Sequence, residues 1–293
     1  MEGIKTYLKE SAALAKSGQL GANGNQPLRL VLGNTSCDMD SVIGAICLGY
    51  YYTKKLGSLW VPVINCNKKE FFYNLEIVLH LNDCQIDLDD LFYYDEYKAT
   101  YTPDKVTEVA LVDHNILDVN QAEVADKVTR VIDHHYDAQA YKETLVEKEC
   151  CFVGSACALV ALKIAKDEGL FKTDLTPGQM NFATLLGAAV VLDSYNFKEE
   201  LRDKKWNQLD IDAHAFLSKF ADLGTQYWSR LNAAKFDVEG ALKLGLRGIF
   251  TRDYKCYELK DGLKGCAVAT ASFETLLNHF GKDEVANEIE KLI

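Results

Sequence analysis

Leu28-Arg29-Leu30-Val31-Leu32-Gly33-Asn34-Thr35-Ser36-Cys37-Asp38-Met39-Asp40-Ser41 decides the fold: an aliphatic run, a turn, then two carboxylates separated by one residue. The design recurs where Val109-Ala110-Leu111-Val112 enters Asp113-His114-Asn115, and where Val128 to Ile132 enters Asp133-His134-His135. Runs this short, aliphatic and partly β-branched suit parallel strands covered on both faces. The ligand-type side chains then fall at strand carboxyl ends, where open α/β sheets bind their ligands. Together the three stretches read as a two-metal site that cleaves phosphoesters.

Outward from these runs, helical and extended patterns alternate. An amino-terminal helical pattern over Met1 to Gly18 breaks at Gly21 to Pro27, and Asp40 opens an amphipathic helix, Ser41 to Lys55, ending at Gly57. A strand around Leu59 to Ile64, a helix from Lys69 to Leu81 and a strand near Leu91 to Tyr94 follow, with a short helix between the strands before Asp113 and Asp133. This alternation predicts right-handed β-α-β units: a parallel sheet flanked by helices. Beyond Tyr136 come Ala- and Leu-rich helices over Gly154 to Glu168 and Gly178 to Leu192, a charged surface loop from Phe197 to Leu209, and a helix to about Asp222. Helix over Leu223 to Leu244, two strands over Leu246 to Leu259 and Leu263 to Thr270, and a final helix from Phe273 to Leu292 complete the reading. The expected domains are residues 1–222 and a smaller α+β unit over 223–293, with the active site in the cleft between them.

The 293 residues, 48% apolar, can fill a substantial core in each unit. With 43 acidic against 32 basic side chains the net charge is -11, which disfavours a nucleic-acid groove. Nine cysteines without a C-x-x-C pair read as reduced, mostly buried thiols. The amino terminus lacks a signal-peptide pattern and no stretch reaches the ~20 apolar residues needed to cross a bilayer. The expected address is the cytoplasm, with no membrane partner.

Asp38 and Asp40 lie between a strand end and a helix start, a place that also favours phosphate through free N–H groups. Read alone, Asp40 serves equally as an N-cap and Asp38 as a turn residue. Asp113 emerges from the core, where an ionised carboxylate needs a cation or a full set of hydrogen bonds. Adjacent His134 and His135 point to opposite sides, one toward a metal and one toward substrate. Asp193 ends another apolar approach, Leu185 to Leu192. His80, His214 and His279 fall in helices, where packing or surface roles are expected. Four carboxylates and one histidine suit Mg²⁺ or Mn²⁺ better than zinc.

These motifs resemble the DHH phosphoesterase superfamily, in the branch with family II inorganic pyrophosphatases, cytosolic exopolyphosphatases and prune-like proteins. The first motif is matched from Gly33 to Ser41, the second at Asp113-His114-Asn115, the third at Asp133-His134-His135 and the fourth at Leu192-Asp193-Ser194-Tyr195-Asn196. The resemblance implies that Asp38, Asp113 and Asp193 hold one cation and Asp40, Asp113 and His134 the other, with Asp113 bridging. It implies catalytic roles for Asp113, His135 and Lys255, and contact with substrate by Asn34, His114, His135, Arg252, Lys255 and Ser272. Asn34 stands where the pyrophosphatases carry His, which points toward an exopolyphosphatase acting on terminal phosphate of inorganic polyphosphate. Pyrophosphatase or nucleotide phosphodiesterase activity, or a metal-binding interaction protein, are the alternatives. The second domain is short for the branch, so a terminal basic segment that contacts substrate in relatives is expected to be missing. Leu223 to Gln226 is the expected hinge.

Overall fold

Burial of the apolar runs produces the sheet. The structure, a computed structural model, describes residues 3–21, 26–172, 182–251, 254–258, 264–268 and 273–291. In chain order its elements are α1 (Ile4–Lys16), β1 (Leu28–Leu32), α2 (Met39–Leu56), β2 (Val61–Ile64), α3 (Lys68–Phe71), α4 (Leu75–Asp83), β3 (Phe92–Tyr93), α5 (Tyr94–Thr100), β4 (Val106–Val112), β5 (Val128–Asp133) and β6 (Glu147–Cys150). Then follow α6 (Ala156–Lys166), α7 (Phe182–Asp193), α8 (Gln208–Leu217), α9 (Thr225–Lys235), α10 (Val238–Lys243), α11 (Gly245–Thr251), β7 (Tyr254–Glu258), β8 (Lys264–Val268), α12 (Phe273–Phe280) and α13 (Lys282–Glu290).

The first six strands form one parallel sheet in the order β3-β2-β1-β4-β5-β6. The fold is α/β, as expected. Its central strands β1 and β4 end at Leu32 and Val112, so the first two motifs leave the sheet side by side. The glycine between β1 and α2 is obligatory: a Cβ on Gly33 would sit 2.6 Å from the Ser41 carbonyl oxygen.

Several elements differ from the sequence reading. α2 is not an amphipathic surface helix: every residue from Met39 to Tyr52 is buried, with α6 and α7 packed on it in addition to the sheet. The expected helix from Lys69 to Leu81 is interrupted between α3 and α4, and the short helix before β5 is a 3-10 segment, Val119–Lys127. β6 was not anticipated. The apolar run at Leu246 begins helix α11 rather than a strand, so the first of the two later strands, which pair antiparallel, starts later than expected, at Tyr254. The last helical run is broken at Gly281, whose φ of 83° ends α12 and starts α13.

Two hydrophobic cores divide the described residues. The larger covers both faces of the sheet and includes Leu223 and Leu231; the smaller gathers Ala241, Leu246, Ile249, Phe250, Leu276 and Val285. Leu223 fills the space left by Gly187, where a Cβ would lie 2.3 Å from its Cδ2 atom. The stretch expected as a hinge is therefore a packed joint at its first residue. The seven cysteines whose side chains are described are all free. Among the described residues no helix is long and apolar enough to cross a membrane.

Candidate metal centre

The strand ends converge on Asp113. Its backbone adopts a left-handed φ of 64°, a conformation that Asp tolerates better than most residues. The amide still donates to the Ile132 carbonyl at 2.9 Å, extending the β4–β5 ladder by one bond while the carboxylate turns off the sheet. Oδ2 accepts from Asn34 Nδ2 and Ser41 Oγ, both at 2.6 Å. Oδ1 is left facing the cluster, 3.0 Å from His134 Nε2. Oxygens of Asp38, Asp40 and Asp113 lie within 4.8 Å of one another, and so do ligand atoms of Asp113, His134 and His135.

The remaining groups are held in turn. Asp38 is the N-cap residue of α2 by backbone but makes no capping hydrogen bond with its side chain, so the turn-and-cap reading does not account for it. Asp40 Oδ2 accepts from Ala156 N at 3.0 Å and lies 3.6 Å from His134 Nε2. His134 Nδ1 donates to the Val153 carbonyl at 2.9 Å, which leaves Nε2 as its ligating atom once neutral. Asp133 is wholly buried and serves as a hub: it accepts from the His134 amide at 2.8 Å, from His135 Nδ1 at 2.9 Å and from Asn115 Nδ2. Asp193 ends α7, and its Oδ2 is buried without a hydrogen-bond partner among the described residues.

Electrostatics expose what this cluster lacks. Burial, followed by the charges of Asp40 and Asp38, pushes the Asp113 carboxyl well above the usual range. Burial and then Asp40 do the same at Asp193, and burial and then Asp38 raise Asp40. For His134 burial opposes the charge, but the hydrogen bond to Asp113 and the charges of Asp40 and Asp113 outweigh it and hold the imidazole at about 10. Crowding and burial of these carboxylates are what a bound divalent cation would offset. The hard oxygen donors of Asp38, Asp40 and Asp113 with the His134 nitrogen fit divalent cations of the Mg²⁺ or Mn²⁺ kind, whereas Asp193 belongs to neither group of gathered ligand atoms.

Other sequence expectations land elsewhere. Asn34 is spent on Asp113 and on the turn, its Oδ1 accepting from Ser36 N at 2.9 Å, so it orients a ligand instead of facing outward. His114 Nδ1 donates to Val112 O at 2.9 Å, and its Nε2 is buried without a hydrogen-bond partner among the described residues. Lys255 lies in β7 opposite Ala267 of β8, whereas Arg252 and Ser272 are outside the described residues. Sequence reasoning missed Lys235. It closes α9, and its ammonium charge favours the ionised forms of both Asp40 and Asp193.

Comparison with known proteins follows the same lines. Residues 29–190 match the DHH family, N-terminal domain. The chain belongs to the DHH family. Within reach of this DHH chain are exopolyphosphatase PRUNE1 of Rattus norvegicus, 30% identical over 249 residues that cover 81% of this chain and 50% of the relative, and a putative exopolyphosphatase of Schizosaccharomyces pombe, 30% identical over 58% of this chain and 46% of that one. The chain thus spans about half the length of the curated relatives it matches. The crystal structure of a Methanococcus jannaschii putative family II inorganic pyrophosphatase superposes with a TM-score of 0.62 at 19% identity, over 90% of this chain and 79% of that one. That likeness carries the fold.

Proposed function

We propose that this DHH protein is a metal-dependent exopolyphosphatase that releases terminal phosphate from inorganic polyphosphate, including short chains. The observation that carries the proposal is the gathering of Asp38, Asp40 and His134 about Asp113 at the carboxyl ends of β1, β4 and β5. Asp38, Asp113 and Asp193 would hold one divalent cation and Asp40, Asp113 and His134 the second, while Asn34 and Ser41 orient the Asp113 carboxylate through Oδ2. When bound, such a pair neutralises phosphate charge and activates water.

The chain's own groups supply position and charge. Asp133 fixes His135 Nδ1, so Nε2 of this half-exposed ring is available to a phosphate oxygen. Lys235 adds positive charge on the side of Asp40 and Asp193, and Lys255, with Arg252 and Ser272, is assigned to the substrate chain from the resemblance to the branch. Asn34 in place of a histidine removes an imidazole ligand and favours polyphosphate over pyrophosphate. The smaller unit after α9 is proposed to close over the substrate and exclude water.

The test is phosphate release from triphosphate, long-chain polyphosphate and pyrophosphate, with Mg²⁺ and with Mn²⁺. Turnover of the first two, with pyrophosphate far slower, is expected. Silence on every substrate while Mn²⁺ still binds would overturn the assignment.

A further inference from the structure

Asp210 is a buried carboxylate that the cluster does not use as a ligand. It occupies the third position of α8 in a capping box with Asn207, whose amide donates to Oδ2 at 2.8 Å. A capping-box carboxylate ordinarily serves that single N–H near the surface. Asp210 instead has no exposed surface, and both its oxygens lie 2.9 Å from the Gly154 amide nitrogen. Only glycine permits this approach, since a Cβ on Gly154 would lie 2.3 Å from the Lys205 carbonyl oxygen.

The segment gripped in this way joins β6 to α6, and it grips the cluster in turn. Val153 accepts from His134 Nδ1 at 2.9 Å through its carbonyl. Ala156 N at 3.0 Å and Ser155 Oγ at 3.5 Å reach Asp40 Oδ2, and Cys157 Sγ reaches the Asp40 carbonyl at 3.6 Å. Two proposed metal ligands therefore take their orientation from four consecutive residues, Val153 to Ala156, and that stretch is pinned by one side chain from α8. Keeping an ionised group buried there is costly unless its donors are complete. A neutral cap would serve α8 without that cost.

We infer that Asp210 is a positioning residue for the divalent-cation site: by holding Gly154 it sets the Val153 carbonyl that selects the Nδ1–H form of His134 and the contacts that aim Asp40. The inference rests on the reading of the cluster as a metal site, and the experiment separates the two. Mn²⁺ binding to the full chain is measured by the loss of the free-ion paramagnetic resonance signal, together with thermal unfolding without metal. Asp210→Asn places an N–H donor 2.9 Å from the Gly154 amide nitrogen in either orientation of its carboxamide, and is expected to weaken Mn²⁺ binding by about ten- to a hundredfold. Ala213→Gly, buried in the same helix, lowers the unfolding temperature but leaves Mn²⁺ affinity unchanged, so loss of stability alone is separated from loss of positioning. If Asp210→Asn does not fold, Asp210→Glu keeps the charge but displaces it by one methylene, and it too must weaken Mn²⁺ binding. Wild-type Mn²⁺ affinity in a folded Asp210 variant, or equal weakening in Ala213→Gly, overturns the inference alone. Absence of Mn²⁺ binding to the unaltered protein overturns the metal-site reading and this inference with it.

Discussion

Strand β4 carries one carboxylate near its start and delivers another at its end, and the two are driven in opposite directions. Both are penalised first by burial. At Glu108 hydrogen bonds from Arg29 and Arg130, at 2.8 and 2.9 Å, more than offset that penalty and hold the group below the usual glutamate range. At Asp113 the neighbouring Asp40 and Asp38 add to it. The balanced end is extended by Arg130 to Glu147 at 3.6 Å and by Lys163 to Glu147, with the Arg130 guanidinium 5.0 Å from the Trp60 ring centre. Charges of opposite sign complete one another there, and the result is a brace. At the carboxyl ends the positive charge is deficient, and a deficit of that kind is what a binding site for cations requires.

Removing Asp113 should produce the largest separation between the two ends. Asp113→Asn is expected to lower phosphate release by at least about a thousandfold. Because it also relieves a buried repulsion, the metal-free variant should unfold at the same temperature as the unaltered protein or higher. A variant that keeps a tenth of the activity would remove the contrast.

Acid stability comes next, and it isolates a group that belongs to neither end. His80 is fully buried in α4, 2.5 Å from the Tyr227 hydroxyl of α9, and burial lowers its pKa to about 4. The unfolded chain binds this proton near pH 6.5 and the folded chain does not, so stability is intact above pH 6.5 and falls as the pH drops toward 4. The loss attributable to this group is about 3 kcal/mol. Denaturant titrations at pH 7 and pH 4.5 should show His80→Gln losing less stability over that interval than the unaltered protein.

Breaking the balanced end is expected to cost about 2 kcal/mol. Glu108→Gln leaves Arg29 and Arg130, 19% and 14% exposed, without their shared carboxylate. Chemical denaturation reads the loss, while turnover per folded molecule should be unchanged. The smallest effect belongs to an exposed pair: Lys98→Ala, which removes the contact with Glu123, should change stability by under about 0.5 kcal/mol and do so less at high salt. A larger change there would mean that partly exposed ion pairs in this protein do more than charge matching explains.

The parts of the molecule that were legible in its residues share a physical cause. The carboxyl-terminal halves of β1, β4 and β5 are buried and written as the aliphatic runs Leu30 to Leu32, Val109 to Val112 and Val131-Ile132, and chemistry that follows such runs stands at strand ends. β6 escapes this signal because it is an edge strand spelled Glu147-Lys148-Glu149-Cys150, paired on one side by β5. α11 was misread because Leu246 and Ile249-Phe250 pack into the smaller core, and a short apolar run does not disclose whether its period is that of a helix or a strand. Within the site, Asp38, Asp40, Asp113 and His134 lie in contiguous motifs. Asp210 works through hydrogen bonds and Lys235 through its charge, both on residues far away in the chain, and nothing in their immediate neighbours distinguishes them from a helix cap and a helix end.

The left-handed backbone at Asp113 also bears on how this protein can change over generations. Asparagine fits that conformation about as well and glycine better, whereas a glutamate or a cysteine would carry a conformational cost of about 1–2 kcal/mol. The position can therefore lose its charge more readily than it can exchange it for a different donor. A lineage released from selection for turnover would drift first to an inert scaffold with the same outline, and would seldom reach a centre tuned to another metal.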